Sequence, residues 1–169
     1  MDASKDKDEK KPEDKKLKFD DLDRDIILRL QDDARRSYRE IAADLQISVG
    51  TVHNRVKRLI KSNILMGFQP ILNSKTLGYE HCFLIFITIR SGHLLDVLDP
   101  IKNNPNVRSI YSLTGDQAAA IICHFKKLDD AREFIRQISQ NKYVKKTVSN
   151  LVLNVIKEQS NVNLSGLEE

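Results

Sequence analysis

The spacing of the apolar residues changes once along the chain, near residues 67–78, and this change limits the folds that the chain can adopt. Before it, apolar residues recur every three to four positions, which is the spacing of helices that bury one face. After it, the longest apolar run, Cys82 to Ile89, has the length of a strand, far below the ~18–20 residues that a membrane span needs. The sequence therefore predicts a helical domain at 19–66 and an α+β domain at 79–157, joined by an extended linker at 67–78.

The segments outside these two domains are charged and poor in apolar residues. Residues 1–18 alternate lysine with aspartate and glutamate. Such a composition buries too little surface to offset ordering entropy, so we expect a disordered charged tail that is solvated or reaches along DNA. Residues 158–169 are predicted to form a similar C-terminal tail.

The N-terminus has no apolar stretch typical of a secretory signal. The 2 cysteines form neither a disulfide framework nor a zinc-binding pattern. We therefore expect a cytoplasmic protein with no metal, no other cofactor and no membrane partner.

The helical segment carries the start signals of three short helices. Asp20 or Asp21 caps the first helix. Ser37 and Glu40 have the spacing of a capping box, which opens the second. Ser48 caps the third after a tight connection. Two short helices joined in this way form a helix-turn-helix, the motif that places its second helix in the major groove of DNA.

The third helix, predicted at residues 49–62, has an apolar face and a polar face. The apolar stripe, which is expected to face the core, contains Val49, Val52, Val56, Leu59 and Ile60. Any surface helix turns polar residues outward, but here the caps, the helix spacing and a local excess of basic residues (seven against two acidic ones over 35–61) together favour DNA binding. The predicted DNA-binding residues are Arg35, Arg36, Ser37, Ser48, Gly50, Thr51, His53, Asn54, Arg55, Lys57, Arg58 and Lys61.

The second domain is predicted to have the element order β-α-β-β-α-β of a ferredoxin-like unit. Strands are expected at 81–90, 107–113, 118–125 and 147–156, and helices at 94–101 and after a cap at Asp129 or Asp130. Pro100 predicts that the first of these helices is kinked or restarts at Asp99. The strands at 81–90 and 118–125 are apolar on both faces, and the domain has no further element to cover the second face. We therefore expect a second copy to cover it in a twofold dimer.

Two Cys-His neighbour pairs lie on these strands, at residues 81–82 and 123–124. Adjacent strand residues point to opposite faces, so neither pair can chelate a metal through both side chains. Because the two strands are expected to be antiparallel neighbours, Cys82 and Cys123 could approach each other. Free buried thiols are nevertheless the favoured state.

These motifs, in this order, resemble the Lrp/AsnC family of transcription regulators, also called feast/famine regulators, over residues 19–157. The matching stretches are Leu22-Asp23-Arg24-Asp25-Ile26-Ile27, Ser48-Val49-Gly50-Thr51-Val52-His53-Asn54-Arg55-Val56-Lys57-Arg58-Leu59, Ile64-Leu65-Met66-Gly67-Phe68 and Thr114-Gly115-Asp116. The resemblance implies a winged-helix-like helix-turn-helix followed by a sensor domain. It also implies a homodimer, often assembled into tetramers or octamers, that binds double-stranded, pseudo-palindromic promoter DNA.

The resemblance further implies a small-molecule effector site, typically for an amino acid, at Thr114, Gly115, Asp116 and Gln117. An ordinary hairpin turn would favour the same glycine and aspartate. The family's hairpin continues into an aromatic residue and a second aspartate, where this chain has Gln117 and Ala118. The missing carboxylate could have held a ligand's ammonium group, so an ordinary amino-acid response is doubtful: either the effector differs or there is none.

Two other functions are compatible with the same architecture. One is an enzyme, since siroheme decarboxylase subunits resemble this two-part arrangement. The chain has no glycine-rich phosphate loop, nucleophile elbow or metal-ligand spacing, and the basic helix argues for DNA, so we expect no enzyme. The other is a metabolite-binding partner module that forms mixed dimers without a DNA site of its own.

Overall fold

The computed structural model of the protein describes residues 19–159 and 161–164, which form two compact units. One unit contains the described residues up to Pro70 together with 159 and 161–164, and the other contains Ile71–Glu158. The division between Pro70 and Ile71 lies within the predicted linker at 67–78. The exact limits of the two domains remain predictions. The predicted tail at 1–18 lies outside the described residues.

Three helices form the first unit: α1 at Asp21–Asp32, α2 at Tyr38–Asp44 and α3 at Val49–Lys61. Each helix begins at a predicted cap, because a side-chain oxygen there accepts a hydrogen bond from a backbone N–H that would otherwise lack a partner. The caps are Asp20, Ser37 and Ser48. Gln46, in the connection between α2 and α3, has a φ of 55°, so this tight turn requires a left-handed conformation that costs a non-glycine residue about 1–2 kcal/mol.

The core of this unit forms where the three helices meet. Its largest cluster of buried residues comprises Ile26, Leu30, Ile41, Ala42, Val52 and Val56. Two members predicted for the stripe of α3 are not buried: Val49 and Ile60 are 45% and 47% exposed. Val49 is the first residue of the helix and Ile60 lies at the margin of the stripe, where the neighbouring helices no longer cover α3.

Leu164 corrects part of the prediction of a solvated C-terminal tail. Its side chain is buried against Ile27 and Leu59, in a second small cluster of the first unit. The tail is polar in overall composition, so its composition did not indicate that the single residue Leu164 would be buried. Residues 160 and 165–169 of the predicted tail lie outside the described residues.

The second unit has the predicted order of strands and helices. Its elements are β1 at His81–Ile89, α4 at Leu94–Leu98, β2 at Val107–Ser112, β3 at Ala119–Phe125, α5 at Leu128–Ser139 and β4 at Val144–Leu151. The four strands form one antiparallel sheet in the order β2-β3-β1-β4, which confirms the ferredoxin-like arrangement.

Several local predictions in this unit are wrong. β4 begins at Val144 rather than at residue 147, because Val144 still pairs with Ile89 of β1. β4 ends at Leu151 rather than reaching residue 156, and Leu153, Val155 and Ile156 are exposed beyond it. The Val152 N–H still donates to the Cys82 oxygen, but β1 begins at His81, so it is too short to pair with residues as far as 156. The helix α4 ends at Leu98 and does not restart at Asp99, because Pro100 has no N–H to continue the helical hydrogen bonds.

The helix α5 begins earlier than predicted, with Lys127 at the cap position instead of Asp129 or Asp130. Asp129 and Asp130 are therefore not caps. They lie in the first turn, where their negative charge interacts favourably with the positive end of the helix dipole.

The core of the second unit lies between one face of the sheet and its two helices. Alternate residues of β1 are buried there against α4 and α5, together with the inward residues of β3. The opposite face carries Leu84, Phe86 and Ile122, which are half-buried within this unit. None of the helices in the described ranges has the length and hydropathy that a membrane crossing requires.

Candidate nucleic-acid interface and effector cavity

The polar face of α3 is open to solvent along its length. Gly50, His53, Asn54, Lys57 and Lys61 are all exposed, and Thr51 is half-exposed. In residues 19–159 and 161–164, Lys57 and Lys61 have no ion-pair partner. Two free ammonium groups near the end of a helix are suited to contact phosphate oxygens.

The first turn of α3 has little side-chain bulk on its outer side. A Cβ added at Gly50 would meet only the Ser48 Oγ, at 3.7 Å, which is an ordinary van der Waals contact. The Ser48 Oγ accepts a hydrogen bond from the Thr51 N–H at 3.0 Å and lies 2.8 Å from the Thr51 Oγ1. A groove wall could therefore approach the backbone of this turn closely, with the hydroxyl groups on its rim.

Two arginines of α3 form ion pairs with carboxylates of α1 and of its cap residue. Arg55 forms ion pairs with Asp20 and, at 3.3 Å, with Asp23, while Arg58 pairs with Asp23. The Asp23 side chain is fully buried, and those of Arg55 and Arg58 are 26% and 44% exposed. Sequence reasoning predicts that both arginines hold phosphates or flanking bases, whereas in the free chain they bind protein carboxylates that tie α3 to α1.

The pairing between Arg55 and Asp20 lowers the pKa of the Asp20 carboxyl below its usual value, because the guanidinium donates a hydrogen bond to the ionised form. From the sequence, Asp23 is a negative charge in the first turn of α1, where the positive end of the helix dipole favours it. Its partners lie 32 and 35 residues away, and no local pattern links residues at that separation. The signal that could have found part of this network is the combination of an aspartate among the apolar residues of α1 and Arg55 on the flank of α3.

The predicted residues before α2 have mixed surroundings. The Arg36 guanidinium lies 2.7 Å from the Asp44 carboxylate, and Arg35 lies 3.3 Å from Asp33 with its side chain 92% exposed. The Ser37 Oγ serves as the cap of α2. Arg35 is therefore the more accessible of the two arginines for a phosphate.

A cavity of about 750 Å³ lies between the hairpin that joins β2 to β3 and the beginning of β4. It is lined by Phe86, Thr88, Ile89, Ser91, Leu113, Gly115, Asp116, Gln117, Ala118, Lys145, Lys146 and Val148. Three of the four predicted effector residues are in this lining, and Thr114 is not. Gly115 has a φ of 96°, a conformation that glycine adopts without the cost borne by other residues. The two lysines were not predicted from the sequence, because they follow α5 and lie far along the chain from the hairpin.

The cysteines lie on opposite faces of the sheet. The register places Phe83 opposite Cys123, and Cys82 opposite His124. The two side chains therefore point away from each other across the sheet, and both thiols are free, as the sequence favours. Burial raises the pKa of Cys123 to about 12, so this thiol stays protonated and behaves as a small apolar side chain.

His124 shares the outer face of the sheet with Cys82. Burial lowers the pKa of the His124 imidazole below its ordinary value of 6.5, with a smaller effect in the same direction from Arg108 and an opposing one from Glu158. Its Nδ1 atom is buried, and no hydrogen-bond partner for it is found within the described ranges. The same ranges contain no group of three or more histidine, cysteine or acidic side chains placed to hold a metal ion.

Comparison with known proteins supports both halves of this description. The profile of the AsnC-type helix-turn-helix domain matches residues 19–60, and that of the Lrp/AsnC ligand binding domain matches residues 82–162. An HTH-type transcriptional regulator of Pyrococcus furiosus is 34% identical over 84% of this chain and 96% of its own length. The transcriptional regulator Ptr1 of Methanocaldococcus jannaschii is 34% identical over 70% of this chain and 80% of its own.

Solved structures agree with these relatives. Escherichia coli AsnC superposes with a TM-score of 0.78 at 26% identity, covering 85% of this chain and 97% of that one. A transcriptional regulator of Neisseria meningitidis, crystallised as an L-Met complex, has a TM-score of 0.80 at 20% identity, covering 89% of this chain and 99% of its own. The second likeness concerns the fold alone.

Proposed function

Because the chain belongs to the Lrp/AsnC family of DNA-binding transcription regulators, we propose that it binds double-stranded promoter DNA as a homodimer, with α3 in the major groove and an effector held in the cavity beside the hairpin. The relatives that it matches are transcriptional regulators, which favours this function over a decarboxylase-like enzyme or a partner module without a DNA site. The single observation that carries the DNA-binding surface is the uncovered polar face of α3.

The proposed contacts divide into two groups along α3. Gly50, Thr51, His53 and Asn54 lie in its first half, where side chains of a recognition helix reach base edges. Lys57 and Lys61 lie further along and hold phosphates, and Arg35, Arg36, Ser37 and Ser48 flank the surface before α2 and α3. Arg55 and Arg58 position α3 through Asp20 and Asp23 in the free chain, and they reach DNA only where those ion pairs open.

The proposed dimer joins the outer faces of two sheets. Leu84, Phe86 and Ile122 form an apolar patch there that α4 and α5 do not cover, because both helices pack on the other face. A second copy would bury this patch in a sheet-on-sheet packing with twofold symmetry. Two copies of α3 would then meet two half-sites separated by ~34 Å or a multiple of it, and further pairing of dimers would give tetramers or octamers.

The test is fluorescence anisotropy of the full chain with DNA from upstream of its own gene, in a salt series, with scrambled DNA as the reference. We expect tight binding that exceeds binding to scrambled DNA by about 10³-fold or more at physiological salt. Lys57→Ala should lower the slope of log affinity against log salt by about one. Lys75→Ala, which removes a lysine of the second unit, is the matched control and should leave the slope unchanged.

A second variant separates DNA contact from folding. Gly50→Ala has room for its Cβ and raises helix propensity by up to about 1 kcal/mol, so the variant should be at least as stable as the parent. It should nevertheless bind DNA more weakly, because the added methyl group stands between the helix and the groove. Unchanged affinity for both Gly50→Ala and Lys57→Ala would contradict the proposed surface.

A further inference from the structure

The strand β4 is irregular where it borders the cavity. Thr88 pairs with Lys146, but the next residue of β1, Ile89, pairs with Val144, so Lys145 is left without a partner in the register. Successive residues of a regular strand point to opposite faces. A bulge removes this alternation locally and re-aims a side chain, and here Lys145 and Lys146 both line the same cavity.

The charges that line the cavity are unequal. Lys145 and Lys146 contribute two ammonium groups, Asp116 contributes one carboxylate, and the remaining lining residues are neutral. Within the described part of the chain these three groups form no ion pair. A neutral amino acid, with one carboxylate and one ammonium group, would leave one lysine unmatched when it entered.

We propose that this cavity binds a small dicarboxylate whose two carboxylates are held by Lys145 and Lys146. The inference rests on the proposed function, because it names the chemical class of the effector at the site proposed there. The volume of about 750 Å³ is in the range of small-molecule sites. Phe86, Leu113 and Val148 supply apolar wall for the short carbon chain between the carboxylates.

Lysines on an edge strand also have a general use, since they discourage pairing with another sheet. β4 is an edge strand of this sheet. Lysines that only prevent pairing with another sheet need not line the same cavity. Here the register shift at Lys145 brings both Lys145 and Lys146 to one cavity. The two explanations differ in their consequence for ligand binding and are therefore separable.

Asp116 distinguishes two sources of the same chemistry. An acidic amino acid carries an ammonium group that can donate a hydrogen bond to the Asp116 carboxylate. Its two carboxylates and one ammonium group then match the two lysines and one aspartate of the lining. A dicarboxylate without an amino group leaves Asp116 unmatched. The variant Asp116→Asn should therefore weaken binding of an acidic amino acid and leave or strengthen binding of the other class.

The experiment is isothermal titration calorimetry of the full chain with L-glutamate, 2-oxoglutarate, L-leucine and acetate at one ionic strength. We expect one of the two dicarboxylates to bind at least about tenfold more tightly than leucine and acetate, in line with one additional charge-assisted contact. Lys145→Gln/Lys146→Gln should weaken that binding by about tenfold or more. Lys75→Gln/Lys157→Gln removes the same charge outside the cavity and should leave it unchanged.

The outcomes are decisive in either direction. Equal or tighter binding of leucine, no binding of either dicarboxylate, or equal losses in the two double variants would overturn the inference. The anisotropy assay of the same samples reports DNA binding separately. If the protein binds its promoter but no dicarboxylate, the proposed DNA-binding function stands and only the dicarboxylate site is refuted. If it binds a dicarboxylate but no DNA, the dicarboxylate site stands and the DNA-binding function is refuted.

Discussion

Asp23 is a fully buried carboxylate that receives both arginines of α3, so the variant Asp23→Asn tests whether these ion pairs hold the helix-turn-helix together. Asparagine preserves the shape and one acceptor oxygen. The hydrogen bond from the Asp20 backbone N–H to the Asp23 Oδ2, 3.2 Å long, can therefore persist. What the substitution removes is the negative charge that Arg55 and Arg58 share.

The cost follows from the exposure of the partners. Breaking a fully buried ion pair costs ~3–5 kcal/mol, since a charge is left without a partner. Here the arginine side chains are 26% and 44% exposed, so water can solvate them once Asp23 is neutral, and Arg55 also keeps Asp20. We expect Asp23→Asn to lower the free energy of unfolding by about 2 kcal/mol, and Asp23→Ala, which also removes the cap partner, by about 3 kcal/mol.

The assay is urea unfolding of the full chain followed by far-ultraviolet circular dichroism, with a double-mutant cycle between Asp23→Asn and Arg58→Gln. The cycle should give a coupling energy of about 1–2 kcal/mol. The matched control is the cycle between Asp21→Asn and Arg24→Gln. Asp21 is 80% exposed, so its pair should couple by no more than about 0.5 kcal/mol.

A coupling energy near zero between Asp23 and Arg58 would refute this reasoning. It would mean that Arg58 does not bind Asp23 in solution and is available to DNA in the free protein. Arg58→Gln should then reduce DNA affinity as much as Lys57→Ala does, without a loss of stability.

Three further predictions concern single positions. Gln46→Gly should raise the free energy of unfolding by about 1 kcal/mol, because glycine adopts the left-handed turn conformation without strain; urea unfolding measures it, and a loss of stability would contradict it. The lowered pKa of His124 in the folded chain means that the unfolded chain binds the proton more readily, so the free energy of unfolding falls as the pH drops below 6.5; His124→Gln should flatten this dependence in urea unfolding at a series of pH values, and an unchanged dependence would contradict it. Leu84→Lys should dissociate the proposed dimer in analytical ultracentrifugation, whereas Leu95→Lys, on the 67% exposed Leu95 of α4, should leave it intact; equal behaviour of the two would argue against the outer face as the interface.

The parts of the fold that the sequence predicts well depend on interactions between near neighbours. The caps at Asp20, Ser37 and Ser48 bond to backbone groups three residues away. The alternation in β1 and the helical stripes report burial through a period of two or 3.6 residues. Such signals lie within a short window of the chain, so the order of the elements and the fold class can be predicted from them.

Element ends were less predictable, because they depend on partners elsewhere in the chain. The apolar pattern continues through Leu153 and Val155, but β4 stops at Leu151, close to the residue where its partner strand β1 begins. The helix before Pro100 is similar: its stripe includes Ile101, yet Pro100 has no N–H to continue the helical hydrogen bonds, and the helix ends at Leu98.

By itself the sequence determined which helix carries the candidate DNA-binding face and which hairpin borders the candidate effector cavity. Only the tertiary structure decided which charges remain free at these sites. Arg55 and Arg58 are as basic as Lys57 in the sequence, but packing of α1 against α3 gives them a buried aspartate as a partner. Lys145 and Lys146 precede the strand that the sequence predicts at 147–156, whereas the structure places both in β4, where the register shift beside Ile89 brings them to the cavity. The sequence states which residues carry a charge. Whether a charge has a partner depends on residues that lie far apart in the sequence and come together only when the chain folds.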